Sequence, residues 1–190
     1  MKLVILAHKL EARHFFFNYS FKKNPDFLNL YEHAQFNLFI CQMGPIQALQ
    51  NLTTLLEKIN NFDLIINLGI SGALNHALQP DSIVAIKTLT DASAIFHPID
   101  TPDGIYTCLT SENKILTPID AATLTGIDLI DMEACGLFQA SHTYKIPFYS
   151  YKLISDFPHH GANEDFIKSN FDTYSKLLFD YFKQQILPLF

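Results

Sequence analysis

The feature that most constrains this chain is an alternation of short apolar runs with longer stretches of helical periodicity. KLVILA (residues 2–7) and FNLFICQ (36–42) have strand length and little polar interruption, so they read as buried strands. GPIQALQNLTTLLEKI (44–59) opens on Gly44-Pro45, with proline where a first helical turn tolerates it. Ile46, Leu49, Leu52, Leu56 and Ile59 then follow at helical spacing. DLIINLGISGAL (63–74) is expected to run as a strand into a glycine turn at Gly69, Ser71 and Gly72. DSIVAIKTL (81–89) and PFYSYKLIS (147–155) read as strands, and GIYTCLT (104–110) as a weaker one. IDLIDMEACGLFQASHTY (127–144) reads as a short strand passing into a helix. From Asn163 to Ile186, the spacing of Ile167, Phe171, Tyr174, Leu178, Tyr181 and Phe182 predicts one long amphipathic helix. Residues 90–103 read as a loop. Strands alternating with helices predict an α/β fold, here a three-layer α/β/α arrangement around a central mixed sheet. No repeat or linker divides the 190 residues, so one domain over residues 1–190 is expected.

Composition removes several function classes. A net charge of −6 lacks the basic footprint of a nucleic-acid binder. No apolar run approaches membrane-spanning length. The N-terminal apolar core, about five residues, is shorter than that of a secretory signal, so a cytoplasmic protein is expected. Cys41, Cys108 and Cys135 are odd in number, widely spaced and set among apolar residues, which suits reduced core thiols. The histidines show no HxxxH spacing and the cysteines no CxxC, so neither a structural metal nor a cofactor is expected. A chain that is 48% hydrophobic with 17 phenylalanines should bury much surface, some of it in an oligomer interface.

Ligands of open α/β sheets bind beyond the carboxyl ends of the strands. Four predicted strand ends carry chemistry-bearing residues: Glu11 after the first strand, the pair Gly69 and Gly72, Met132-Glu133 at a strand-to-helix junction, and Ser155-Asp156 closing the last strand. Each also has an ordinary reading. Glu11 and Glu133 suit the first turn of a helix, where the dipole favours a carboxylate. Asp156 suits a turn cap, and the glycines a change of direction. The combination of three carboxylates and a glycine pair at one sheet edge is what points to a site.

Taken in order, these segments resemble the purine nucleoside phosphorylase/nucleosidase superfamily, most closely its methylthioadenosine/S-adenosylhomocysteine nucleosidase branch. ILAHKLEA is similar to its first strand and catalytic glutamate, INLGISGAL to its N-x-G-x-A-G-G segment, and CLTSENKI to its x-x-S-G-D-x-F-I segment. IDMEACGLFQA is similar to V-x-M-E-x-A-A, and KLISD to R-x-I-S-D. The resemblance implies that Asp156 protonates N7 of a purine and that Ser155 holds that carboxylate. It implies that Glu133 binds the ribose hydroxyls with Met132 packed on the sugar, and that Glu11 activates the attacking water. Ile115 and Lys152 would support the base side. The implied partner is a small-molecule nucleoside, the implied assembly a homodimer, and the implied setting purine salvage.

Three differences from that pattern stand out. Lys114 occupies the base-stacking phenylalanine position, preceded by Glu112-Asn113 in place of Gly-Asp. Lys152 replaces an arginine, keeping the charge but losing the planar fork. The segment 90–103 is shorter than its counterpart. Within it Phe96 and His97 either pack or close over a ligand, and His159-His160 either contact a ligand or sit on a solvated loop. Met43-Gly44-Pro45 either lines the ribose side or only starts a helix.

Phosphorylases hold phosphate with arginines, whose forks match an oxyanion. Here Asn67 stands where such an arginine is usual, and Arg13 is the chain's one arginine. Hydrolysis of the N-glycosidic bond is therefore the expected reaction. A phosphate-dependent phosphorylase and a catalytically weak nucleoside-binding protein are the alternatives.

Overall fold

The computed structural model describes residues 1–113, 124–158 and 164–190. Its strands are β1 (Lys2–Leu6), β2 (Lys22–Lys23), β3 (Leu30–Glu32), β4 (Phe36–Ile40), β5 (Leu64–Ala73), β6 (Ile83–Thr90), β7 (His97–Pro98), β8 (Tyr106–Thr110), β9 (Leu129–Asp131) and β10 (Phe148–Asp156). The α-helices are α1 (Arg13–Asn18), α2 (Pro45–Lys58), α3 (Ala134–Thr143) and α4 (Glu164–Tyr181). The tail expected as one helix changes character at its end. After Tyr181 it widens into a π-helical turn over Phe182–Ile186 and closes with a 3₁₀ turn at Leu187–Leu189, where Pro188 cannot donate a helical hydrogen bond.

The mixed sheet is built on β1. It pairs in parallel with β4 on one side and β5 on the other, and β5 pairs in parallel with β10. Successive residues of a strand point to opposite faces, and β1 shows the consequence. Leu3 and Ile5 join a core with Leu52 and Leu55 of α2 and Leu137 and Ala140 of α3. Val4 and Leu6 join a second core with Phe15 of α1 and Tyr174, Leu178 and Phe182 beyond. Both faces of β1 are therefore dry, which is why KLVILA shows no polar alternation.

The rest of the sheet departs from an open central layer. β10 pairs with β6, β6 with β8, β8 with β9, and β9 returns to β5, so five strands close into a ring of pairings. β9 runs antiparallel to β5, with Gly72 opposite Ile130 and Ala73 opposite Leu129. The ten-residue β5 makes this possible by extending beyond its partner β1.

A turn at Gly69–Gly72 does not form: β5 runs unbroken through Gly69, Ser71 and Gly72. Gly72 answers crowding instead. A Cβ on Gly72 would lie 2.6 Å from the Pro158 ring, and one on Gly69 would face Glu11 and Lys152. The segment 90–103 is not wholly irregular either, because β7 pairs antiparallel with β6. Among the described residues, no helix is long and apolar enough to cross a membrane.

Candidate active site

Glu11 sits in the turns between β1 and α1 and is 3% exposed. Its Oε2 accepts the backbone N–H groups of Ala7 (3.0 Å) and His8 (2.9 Å), and its Oε1 accepts that of Ile70 in β5 (3.1 Å). The carboxylate thus fastens the end of β1 to the interior of β5 and is not a solvated helix-turn residue. Burial raises its pKa above the ordinary glutamate range, while the N–H groups of Ile70 and His8, the Lys152 ammonium and the Ala7 N–H pull the other way.

Glu133 reaches the same place from the opposite direction. Because β9 runs against β5 with Ile130 opposite Gly72, Met132 and Glu133 follow just beyond that pairing. Glu133 stands at the start of α3 but does not cap it. That task falls to Asp131, whose Oδ2 accepts the Ala134 N–H at 2.9 Å, and to Thr110, whose Oγ1 accepts the Cys135 N–H at 2.9 Å. The Glu133 carboxylate is left to accept the Gly44 N–H at 3.0 Å. Burial, with the negative charge of Asp131, pushes its pKa up to about 8 despite Lys152 and the Gly44 N–H.

Ser155 and Asp156 close β10 at a bulge. Ile154 lies opposite Ser71 and Asp156 opposite Gly72, so Ser155 is an extra residue in the ladder. Regular alternation would send two successive side chains to opposite faces. The bulge breaks it, and the Ser155 hydroxyl donates to Asp156 Oδ1 at 2.6 Å. Tyr174 of α4 fixes the bulge from behind, its hydroxyl donating to the Ser155 carbonyl at 3.1 Å.

These groups share one cavity of about 410 Å³, within the usual size range of small-ligand sites. Glu11, Ser71, Gly72, Met132, Glu133, Ser155 and Asp156 all line it. Met43 lines it too, just before the Gly44 N–H that meets Glu133. Ile70, Ile130, Pro158 and Phe171 give it apolar walls, and His8 and Lys168 stand in its lining as well. Gly69 and Lys152 are not in the wall. Lys152, 1% exposed, is buried with its ammonium 2.6 Å from Asp131. Phe96 is exposed and His97 packs on Phe138. Ile115, Lys114 and His159-His160 lie outside the described residues.

Asp131 and the α4 residues Ile167 and Phe171 are cavity residues that sequence reasoning passed over. The signal for Asp131 was present: a lysine inside the apolar strand FYSYKLIS needs a buried counter-charge.

No family model matches the sequence, and no curated protein matches it. Solved structures match its fold over nearly the whole chain. A variant of MTAN from Chlamydia trachomatis superposes with a TM-score of 0.80 at 19% identity, covering 100% of this chain and 98% of that one. A variant of MTAN from Helicobacter pylori with 5′-methylthioadenosine in its active site gives 0.83 at 11% identity, covering 96% of each chain. The 5′-methylthioadenosine/S-adenosylhomocysteine nucleosidase of S. pneumoniae, with a transition-state inhibitor, gives 0.80 at 14%, covering 95% and 96%. The chain has the nucleoside phosphorylase/nucleosidase fold.

Proposed function

We propose that the protein is a purine nucleosidase that hydrolyses the N-glycosidic bond of a 5′-substituted adenine nucleoside such as methylthioadenosine or S-adenosylhomocysteine. The observation that carries this reading is the convergence of Glu11, Glu133 and Asp156 on one cavity from three separate strand ends. Solved structures of the same fold hold methylthioadenosine and adenine, which supports a nucleoside as the ligand.

Breaking the bond moves electrons from C1′–N onto the base and leaves positive charge on the sugar. Asp156 supplies the proton that neutralises the departing base at N7. Its Oδ1 accepts from the Ser155 hydroxyl, which fixes the orientation of the carboxyl. Glu11 takes a proton from the water that bonds to C1′. Glu133 accepts the ribose hydroxyls through the oxygen not engaged with Gly44, and those donors favour its ionised form. Proton transfer by each positioned carboxyl is worth about 10²–10⁴-fold.

Water is favoured over phosphate as the second substrate. The Arg13 guanidinium is half exposed and 3.1 Å from Asp172, away from the cavity. Asn67 is buried, accepting from the Ser150 hydroxyl at 3.2 Å. Lys152 is engaged by Asp131. A homodimer belongs to this reading, supported by exposed Met43, Ile46, Ile95 and Phe96, and sedimentation would test it.

The test is chromatographic detection of free base from methylthioadenosine, S-adenosylhomocysteine, adenosine and inosine, each with and without phosphate. Release without phosphate that disappears in Asp156→Asn is the expected result. Release only with phosphate would make the protein a phosphorylase. No release, with binding of the same nucleosides by calorimetry, would make it a binding protein.

A further inference from the structure

The cavity floor holds a charged pair that the reading above leaves without a role. Lys152 Nζ lies 2.6 Å from Asp131 Oδ2, and the two side chains are 1% and 0% exposed. The Asp131 carboxylate accepts three hydrogen bonds. Oδ1 accepts the Thr110 hydroxyl at 2.6 Å, and Oδ2 accepts both the ammonium and the Ala134 N–H at 2.9 Å. One carboxylate therefore ties together β8, the start of α3 and the middle of β10.

Its two main partners lead to the two sugar-side glutamates. Ala134 directly follows Glu133, so the contact to its N–H sets where the helix begins and hence where the Glu133 carboxylate lies. Lys152 pairs with Gly69 across the β10–β5 ladder. A Cβ on Gly69 would sit 3.5 Å from Glu11 Oε1 and 3.7 Å from Lys152 Nζ, so the two groups flank the same point and the ammonium's charge is felt at Glu11. An unpaired ammonium on a buried strand would be strongly destabilising. A pair held by this many donors keeps the charge in one place.

We propose that Asp131 is the positioning residue of the site, holding the Lys152 ammonium in the neighbourhood of Glu11 with the same carboxylate that fixes the helix start carrying Glu133. The roles of those glutamates rest on the nucleosidase reading, but the arrangement does not. Burial opposes the charge on Lys152, and the Asp131 and Glu133 carboxylates outweigh it, keeping the ammonium protonated. Asp131, Lys152 and Glu11 act on Glu133, the Cys41 thiol lies beside both glutamates, and His8, Asp156 and Lys168 line the same cavity. Cys108 and Cys135 neighbour Asp131, and burial pushes all three thiols up, so they remain uncharged.

The test reads the carboxyls directly and does not depend on turnover. Protein labelled with ¹³C at glutamate carboxyls is titrated by NMR as wild type, Asp131→Asn and Asp131→Asn/Lys152→Met. In Asp131→Asn the Glu133 midpoint should fall by about one pH unit or more, because a neighbouring negative charge is gone while the lysine remains. In the charge-neutral double variant, which removes any burden of an unpaired lysine on folding, the Glu11 midpoint should rise as its cation is lost. If the protein turns over nucleosides, kcat/KM of Asp131→Asn should fall about 10- to 100-fold and its acid limb should shift in the same direction as the Glu133 midpoint. A Glu133 midpoint unmoved in the folded single variant, or a Glu11 midpoint unmoved in the double, overturns the proposal. Either result would leave the nucleosidase reading standing. Absence of nucleoside turnover with both midpoints moving would remove that reading and leave this one.

Discussion

The carboxylate of Glu133 accepts the backbone N–H of Gly44 at 3.0 Å, joining the starts of α2 and α3 at the floor of the cavity. Gly44 has φ of 98°, a conformation that glycine adopts without strain and that turns its N–H toward the glutamate. The contact needs the two helices to lie very close, and Gly136 allows it. A Cβ on Gly136 would stand 2.2 Å from the Pro45 carbonyl oxygen.

Gly136→Ala is therefore expected to destabilise the protein although alanine is the better helix former. The propensity gain is about 1 kcal/mol. Overpacking against a backbone oxygen, which cannot swing aside, costs about 1–3 kcal/mol. The net loss should appear as a lower calorimetric Tm. A Tm equal to or above that of the wild type would mean that α2 and α3 separate freely.

The raised pKa of Glu133 gives stability a pH dependence of known sign. The folded empty protein holds this proton up to about pH 8, whereas the unfolded chain releases it near its ordinary value of 4.5. The folded state thus binds more protons between these limits, and the stabilisation this group gives is full below the lower one and lost as pH rises through the upper. Glu11, also raised, acts in the same direction. Glu133→Gln cannot ionise and removes the Glu133 part. The stability of wild type minus variant, from urea midpoints, should decline steadily from about pH 5 to pH 8. A difference that rises over that window would reverse the assignment.

The two β5 glycines should respond differently to alanine. At Gly72 the new methyl meets the Pro158 ring at 2.6 Å, and a proline ring has little room to yield. Pro158 lies two residues from Asp156, so the displacement reaches the proposed acid. Gly72→Ala should lose up to about 10²-fold in kcat/KM, the scale of a 1 Å misplacement, and about 1–3 kcal/mol of stability. At Gly69 the nearest atoms are at 3.5 and 3.7 Å, ordinary contact distances. Gly69→Ala should fold as well as wild type or better by about 0.5–1 kcal/mol. Urea denaturation and base-release kinetics on the two variants side by side check both statements.

Residues that obey a local rule were readable in advance. The parallel core strands β1, β4 and β10 and the helix α2 follow from runs and spacings that belong to single segments, since burial on both faces of a strand erases alternation and burial on one face of a helix imposes it. The positions of Glu11, Met132, Glu133, Ser155 and Asp156 beside one cavity were anticipated by their places at strand ends. What the local signal misread was Gly69–Gly72. A glycine pair looks the same whether it turns the chain or admits a neighbour, and here the neighbours, Pro158 on one side and Glu11 with Lys152 on the other, come from other parts of the chain.

The sequence by itself determined the core strands β1, β4, β6 and β10, the helices α2 and α3, and which polar residues stand at strand ends, because backbone periodicity and side-chain burial are encoded within a few residues. Only the tertiary structure decided that β9 returns antiparallel along an overlong β5, that a bulge turns Ser155 onto Asp156, and that Lys152 and Asp131 neutralise each other beneath the cavity. Each depends on pairing register and on charges brought together from distant positions. Their energies exist only once the strands have met, so no segment carries them alone.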